Sequence, residues 1–199
     1  MTDEFLAVLA KRRTYYHLDK AVAAPRARIQ EIVEQVVRST PSAFNMQSAR
    51  VILLFGAHHD ELWRIAEDAL RKIVPPEAFE PTRQKIAGFA AAAGTILYFD
   101  DTGVIEAMQE KFPTYKENFP VWAQQANGMT QAGVWNAMTE EGLGASLQHY
   151  NPLIDDAVKA RWNAPARWKL VAQMPFGNPT APPDPKESMP VSERVMVYQ

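Results

Sequence analysis

A chain of 199 residues, 47% hydrophobic and 22% charged, has the length of one domain and can bury roughly 70% of its unfolded surface. Its formal net charge of -2 excludes a general attraction to nucleic acid or anionic membrane, and the absence of cysteine excludes disulfides, thiol catalysis and thiolate metal sites. No apolar run reaches the roughly 20 residues that span a bilayer, and Thr2 to Ala10 carries Asp3 and Glu4 without the basic start of a signal peptide. A cytoplasmic protein is expected.

Glu4 to Arg12 reads as a short first helix with Phe5, Leu6, Val8 and Leu9 on its buried face. It ends in Lys11, Arg12 and Arg13, which suit a helix C-terminus. With Thr14 they also form a set of guanidinium forks and a hydroxyl able to hold a phosphate. Pro25 to Arg38 is a second helix, with Ile29, Ile32, Val33, Val36 and Val37 at helical spacing.

Between that helix and an apolar strand at Ala49–Phe55 lies Thr40 to Ser48. Pro41 disfavours helix at Thr40, and Ser42, Asn45 and Gln47 offer uncharged donors and acceptors. The stretch serves either as turn chemistry or as the edge of a site for a flat polar heterocycle.

His58 to Ile73 reads as a helix, with Leu62, Ile65, Ala66, Ala69, Leu70 and Ile73 inward. His58 and His59 are adjacent and cannot share a helical face, and no HxxxH spacing occurs, so no metal site is expected. A helix over Phe79–Ala93, a buried strand over Thr95–Phe99 and a helix over Thr102–Lys111 follow. Phe112 to Pro120 is a proline-bracketed aromatic loop, able to cover an apolar pocket or to pack on the protein itself.

Val121 to Glu141 is the longest helix candidate, apolar on several sides and capped by Gly142, as befits a central helix or a dimer interface. The next stretch, Leu143 to Pro152, has Gly144 for close backbone approach and Ser146, Leu147, Gln148 and His149 along one run. After a short helix over Leu153–Arg161 and a strand over Lys169–Met174, Pro175 to Pro179 reads as a turn. Residues 180–199 form an extended proline-rich arm, and Arg194 to Tyr198 has strand character suited to crossing to a partner subunit. No boundary divides residues 1–199, so a single domain is expected.

Four segments in this order and spacing, Arg12-Arg13-Thr14, Pro41-Ser42-Ala43-Phe44-Asn45-Met46-Gln47, Gly142 to Ser146, and Pro175-Phe176-Gly177-Asn178-Pro179 followed by Lys186, resemble the FMN-dependent nitroreductase family. The Leu147 to Pro152 run and the Arg194-Val195 ending are most similar to its short fungal and bacterial nitroreductase-like branch. The resemblance implies an α+β fold, a mostly antiparallel sheet surrounded by helices, in a homodimer with an exchanged C-terminal arm. It implies FMN as cofactor and NADH or NADPH as electron donor, with nitroaromatic or quinone acceptors reduced in a ping-pong hydride cycle.

By the same resemblance, Arg12, Arg13, Thr14 and Lys186 hold the FMN phosphate. Where the family often has Lys-x-Arg this chain reads Lys186-Glu187-Ser188, and Arg194 is the candidate replacement for the second basic residue. Pro41, Ser42, Ala43, Asn45 and Gln47 line the flavin of the partner subunit. Ser146, Leu147, Gln148 and His149 cover its other side, with a backbone amide near N5. No catalytic side chain is expected, because the flavin carries the hydride. Some relatives are tied to oxidative stress responses. Two rivals remain open: a flavin-binding stress-response or regulatory protein with little turnover, and a relative with different flavin chemistry such as dehalogenation or flavin fragmentation.

Overall fold

The computed structural model describes residues 2–199, with side chains from Asp3 onward. In chain order it runs α1 (Thr2–Lys11), β1 (Leu18–Asp19), α2 (Arg26–Ser39), β2 (Ala49–Phe55), α3 (Ala57–Arg71), α4 (Phe79–Ala90), β3 (Gly94–Asp101), α5 (Thr102–Lys111), α6 (Asn118–Glu140), β4 (Gly144–Ala145), α7 (Asp155–Trp162) and β5 (Trp168–Pro179). The sheet is antiparallel in order β1-β5-β3-β2, with β4 also pairing with β5. The class is α+β. Among the described residues no helix is long and apolar enough to cross a membrane.

The pleat of β3 explains the layering. Successive side chains on a strand face opposite ways, so Ile96 and Tyr98 pack with Ile29 and Val33 of α2 and Val134 and Met138 of α6. Leu97 and Phe99 pack on the other face with Leu62, Trp63 and Ala66 of α3, Ile86 and Phe89 of α4, and Val158 of α7. Both faces of the sheet are therefore covered by helices. His59 belongs to this frame: it is fully buried, its Nε2 lies 3.1 Å from the Ala90 carbonyl and its Nδ1 lies 2.8 Å from the Thr95 hydroxyl. The carbonyl can only accept, so the proton sits on Nε2; burial lowers the pKa and keeps the ring neutral.

Several expectations need correction. The apolar side of α1 is not buried: Phe5 is 61% exposed and Leu6 and Leu9 are exposed too, because the helix's main packing is against α6 and leaves that side open. Ile73 is also exposed, lying beyond the end of α3. Pro175–Pro179 is no turn but the end of β5, where tertiary pairing overrides local turn preference: Phe176 and Gly177 pair with β4, and Asn178 and Pro179 with β1. Gly177 is required there, since a Cβ would stand 2.4 Å from the Asp19 carbonyl oxygen. Arg194–Tyr198 forms no strand and is exposed, although β2 at the end of the sheet pairs only with β3. The Phe112–Pro120 stretch is partly helical, and Phe119 is fully buried.

Candidate functional site

Opposite ends of the chain meet in one cavity. Arg12, Arg13 and Thr14 leave the C-terminus of α1, and Tyr15 N donates to the Ala145 carbonyl at 2.9 Å, fixing this segment beside β4. Past β5 the chain returns alongside it, with Thr180 N donating to the His17 carbonyl at 3.0 Å and Arg13 Nη2 donating to the Asp184 carbonyl. The result is a cavity of about 330 Å³ lined by Arg12, Arg13, Thr14, Tyr16, Asp184, Pro185 and Lys186. Among the described residues, no carboxylate lies within ion-pair distance of Arg12, Arg13 or Lys186. Two guanidinium groups, an ammonium and a hydroxyl thus face one space, the donor set that suits a phosphate dianion. The Arg12 guanidinium also lies 4.5 Å from the centre of the Trp135 ring, which supports it from below. Arg194 does not line this cavity.

The 144–149 run forms an edge beside that cluster. Ser146 N donates to the Pro175 carbonyl at 3.2 Å and Gln148 N to the Gln173 carbonyl at 2.7 Å, so these alternate amides are spent on β5. Gln148 is buried, and its Nε2 donates to Ser146 Oγ at 3.0 Å; the two side chains expected to edge a ligand satisfy each other. Alternation turns the Leu147 and His149 amides the other way. Neither has a hydrogen-bond partner among the described residues.

The loop between α2 and β2 stands apart. Pro41, Ser42 and Gln47 line a cavity of about 110 Å³ together with Thr40, Arg50 and Thr130. No residue lines both this cavity and the basic one. Asn45 is exposed, and Ala43 is half-buried. Gln47 N donates to Ser42 Oγ at 3.0 Å, closing the loop, and Arg50 Nη1 donates to the Gln47 carbonyl at 2.7 Å.

Arg50 is in turn held by Asp101, a buried carboxylate that escaped notice in the sequence. Asp101 receives Arg50 Nη2 at 3.1 Å, Arg167 Nε at 2.9 Å and the Trp168 indole at 3.3 Å, and it caps α5 through Gly103 N. Burial works against its charge, but the Arg167 hydrogen bond and the fields of Arg50 and Arg167 outweigh it and hold the carboxyl below its ordinary value. Nothing local marks this cluster, because its members lie on β2, β3 and the entry to β5. Tyr16 and Asp184 were also unanticipated: Tyr16 follows Thr14 by two residues, and Asp184 meets Arg13 only through the return of the chain.

The nitroreductase family model matches residues 9–178. HBN1 of Saccharomyces cerevisiae is 34% identical over 186 residues, covering 92% of this chain and 91% of that protein. Structures of nitroreductase CinD from Lactococcus lactis in complex with chloramphenicol and with 4-nitrophenol superpose with TM-score 0.90 at 41% identity, over 98% of this chain and all of that one. A Desulfovibrio desulfuricans protein in complex with FMN shares the fold at TM-score 0.70 and 18% identity, over 98% of this chain and 96% of that one.

Proposed function

Because this chain belongs to the nitroreductase family, and is thus a nitroreductase-type oxidoreductase, we propose that it is an FMN-dependent NAD(P)H oxidoreductase that reduces nitroaromatic or quinone acceptors in a ping-pong cycle. The observation that carries this reading is the convergence of Arg12, Arg13, Thr14 and Lys186 on one cavity with, among the described residues, no carboxylate paired to its cations. A phosphate dianion neutralises that cluster without displacing an existing ion pair. Bound FMN would supply the redox chemistry, taking a hydride from NADH or NADPH and handing it to the acceptor.

The chain's own part is to bind and orient. Arg12, Arg13, Thr14 and Lys186 hold the phosphate, and the unspent Leu147 and His149 amides donate to the flavin edge. Their strand neighbours Ser146 and Gln148 keep that edge rigid through β5. Pro41, Ser42, Ala43, Asn45 and Gln47 act on the flavin of a partner subunit, which accounts for Pro41, Ser42 and Gln47 lining a cavity separate from that of Arg12, Arg13 and Lys186.

A homodimer fits the surface. On α6, Val121 and Met129 are exposed beside Gln125, Gly128 and Ala132, and a Cβ at Gly128 would meet nothing within 4 Å, leaving room for another helix. Phe5, Leu6 and Leu9 extend that apolar face, and residues 189–198 are free to cross to the partner as an exchanged arm. As an acceptor class, nitroaromatics match chloramphenicol and 4-nitrophenol, the ligands of two CinD complexes.

Initial rates of NADH and NADPH oxidation, measured over a grid of 4-nitrophenol or benzoquinone concentrations, test the proposal. Parallel double-reciprocal lines are expected. Intersecting lines, or no turnover by protein carrying stoichiometric FMN, would overturn it.

A further inference from the structure

We infer that Phe44 is a positioning residue: its ring, gripped by the aromatic segment 112–122, holds the 42–47 loop in the left-handed backbone that presents Asn45 and Gln47. The inference rests on the proposed FMN site. The backbone is unusual. Phe44, Asn45 and Gln47 have φ values of 53°, 52° and 52°, although none is glycine. Asparagine tolerates this region; a phenylalanine is disfavoured there because its Cβ crowds the backbone. Conformations of this kind persist only where the surroundings over-determine them, and they cluster at functional sites.

Part of the holding force is local: Asn45 N donates to the Ser42 carbonyl at 2.9 Å, and the bonds from Gln47 N and Arg50 close the loop. The first of these, with Met46 N donating to the Ala43 carbonyl at 3.1 Å, spans Phe44 and shapes its turn, and the ring adds the tertiary hold. Ring centroids of Phe112, Phe119, Tyr115 and Trp122 lie 4.7, 5.5, 5.7 and 6.0 Å from that of Phe44. Beneath them Phe119 packs with Met46, Ile105 and Ala123 as a small core of its own. Return of Phe44 to a right-handed conformation would swing the ring out of this cluster and redirect the residues that follow.

Phe44 nevertheless stays 50% exposed, so the ring is no ordinary core side chain. The polar side chains it places are uncommitted: among the described residues neither Asn45 nor Gln47 has a side-chain hydrogen-bond partner. A rigid, strained loop that displays two free amide side chains is built to meet a ligand, and the aromatic segment is what keeps it in shape.

The test is titration of the full-length protein with FMN, read by flavin fluorescence and by visible circular dichroism of the bound flavin, at a temperature where every variant is folded. Phe44→Ala is expected to weaken binding on the order of tenfold and to change the visible dichroism, which a merely structural loss would not alter. Phe44→Tyr, which keeps the ring, should restore both. Tyr115→Ala, which trims the cluster without touching the loop, should weaken binding by about threefold and decides the matter if Phe44→Ala fails to fold. Unchanged affinity and dichroism in Phe44→Ala, or in Tyr115→Ala where that variant must decide, would overturn the inference. Loss of FMN in Arg12→Ala alongside such retention would leave the cofactor site standing; a wild-type protein that binds no FMN would remove both.

Discussion

Replacing Arg12 with alanine is expected to weaken FMN binding by about 10- to 100-fold, while Arg71→Ala leaves it unchanged. Arg12 is half-buried, faces the basic cavity and has no carboxylate partner among the described residues. A hydrogen bond from a guanidinium to a phosphate contributes about 1.5–3 kcal/mol. Arg13 and Lys186 would still attract the dianion, so binding should weaken without vanishing. Arg71 carries the same charge but sits on the outer side of α3, paired with Glu67 one turn earlier and stacked on Phe79. Its loss should change stability by about 1 kcal/mol or less. Equal flavin affinity in both variants, measured by fluorescence titration, would rule out the phosphate assignment.

The largest stability effect is expected at Asp101. Asp101→Asn removes a buried charge that two arginines share, and should cost about 3 kcal/mol at neutral pH. For a chain of this length that lowers the melting temperature by roughly 6–12 °C. The cost stays near the low end of the range for broken buried pairs because Arg167 is largely exposed and Arg50 is 30% exposed, so both can regain water.

The pH dependence has a definite sign. The folded-state pKa of Asp101 lies below its ordinary value, so its stabilising contribution is complete above the unfolded pKa of about 3.9. It is lost as pH falls through the folded value. Wild type should therefore melt well above Asp101→Asn at pH 7, with the gap closing below about pH 4. Asp100, whose carboxyl is raised by burial despite its hydrogen bond from Asn127, titrates in the opposite sense and cancels in the comparison. Identical melting temperatures at pH 7 would contradict the role given to this cluster. Since Arg50 also holds the Gln47 carbonyl, the variant is expected to loosen the Ser42–Gln47 loop as well.

Much of the fold could be read from periodicity. The strand at Ala49–Phe55 and the helix at Thr102–Lys111 have the expected ends, because β-branched and leucine-rich runs or a helical stripe are bounded there by clear stops. β1 and β4, two residues each, carry no periodic pattern and exist only because β5 offers them an edge. That same pairing turned Pro175–Pro179, rich in turn residues, into strand. The apolar stripe of α1 was legible as a stripe, but Phe5, Leu6 and Leu9 are exposed in the chain, since spacing alone does not say which stripe finds a neighbour. In the candidate site, Arg12, Arg13, Thr14 and Lys186 were legible through their resemblance to a family, and the fold gathers them; Arg194 it does not. Gln148 turned out to serve Ser146, since which way a strand residue faces depends on a register that spacing alone leaves open. The Arg50–Asp101–Arg167 cluster had no sequence signal, being assembled from residues up to 117 positions apart.

The visible absorption spectrum of the purified protein, recorded before and after addition of FMN and removal of the excess, addresses the central claim most directly. Retained flavin bands at about one FMN per chain are the predicted result, because the basic cavity is built from each chain's own two ends. A colourless protein that cannot be reconstituted would contradict the claim. It would mean that Arg12, Arg13, Thr14 and Lys186, without the second basic residue that Lys186-Glu187-Ser188 lacks, do not suffice to hold the cofactor.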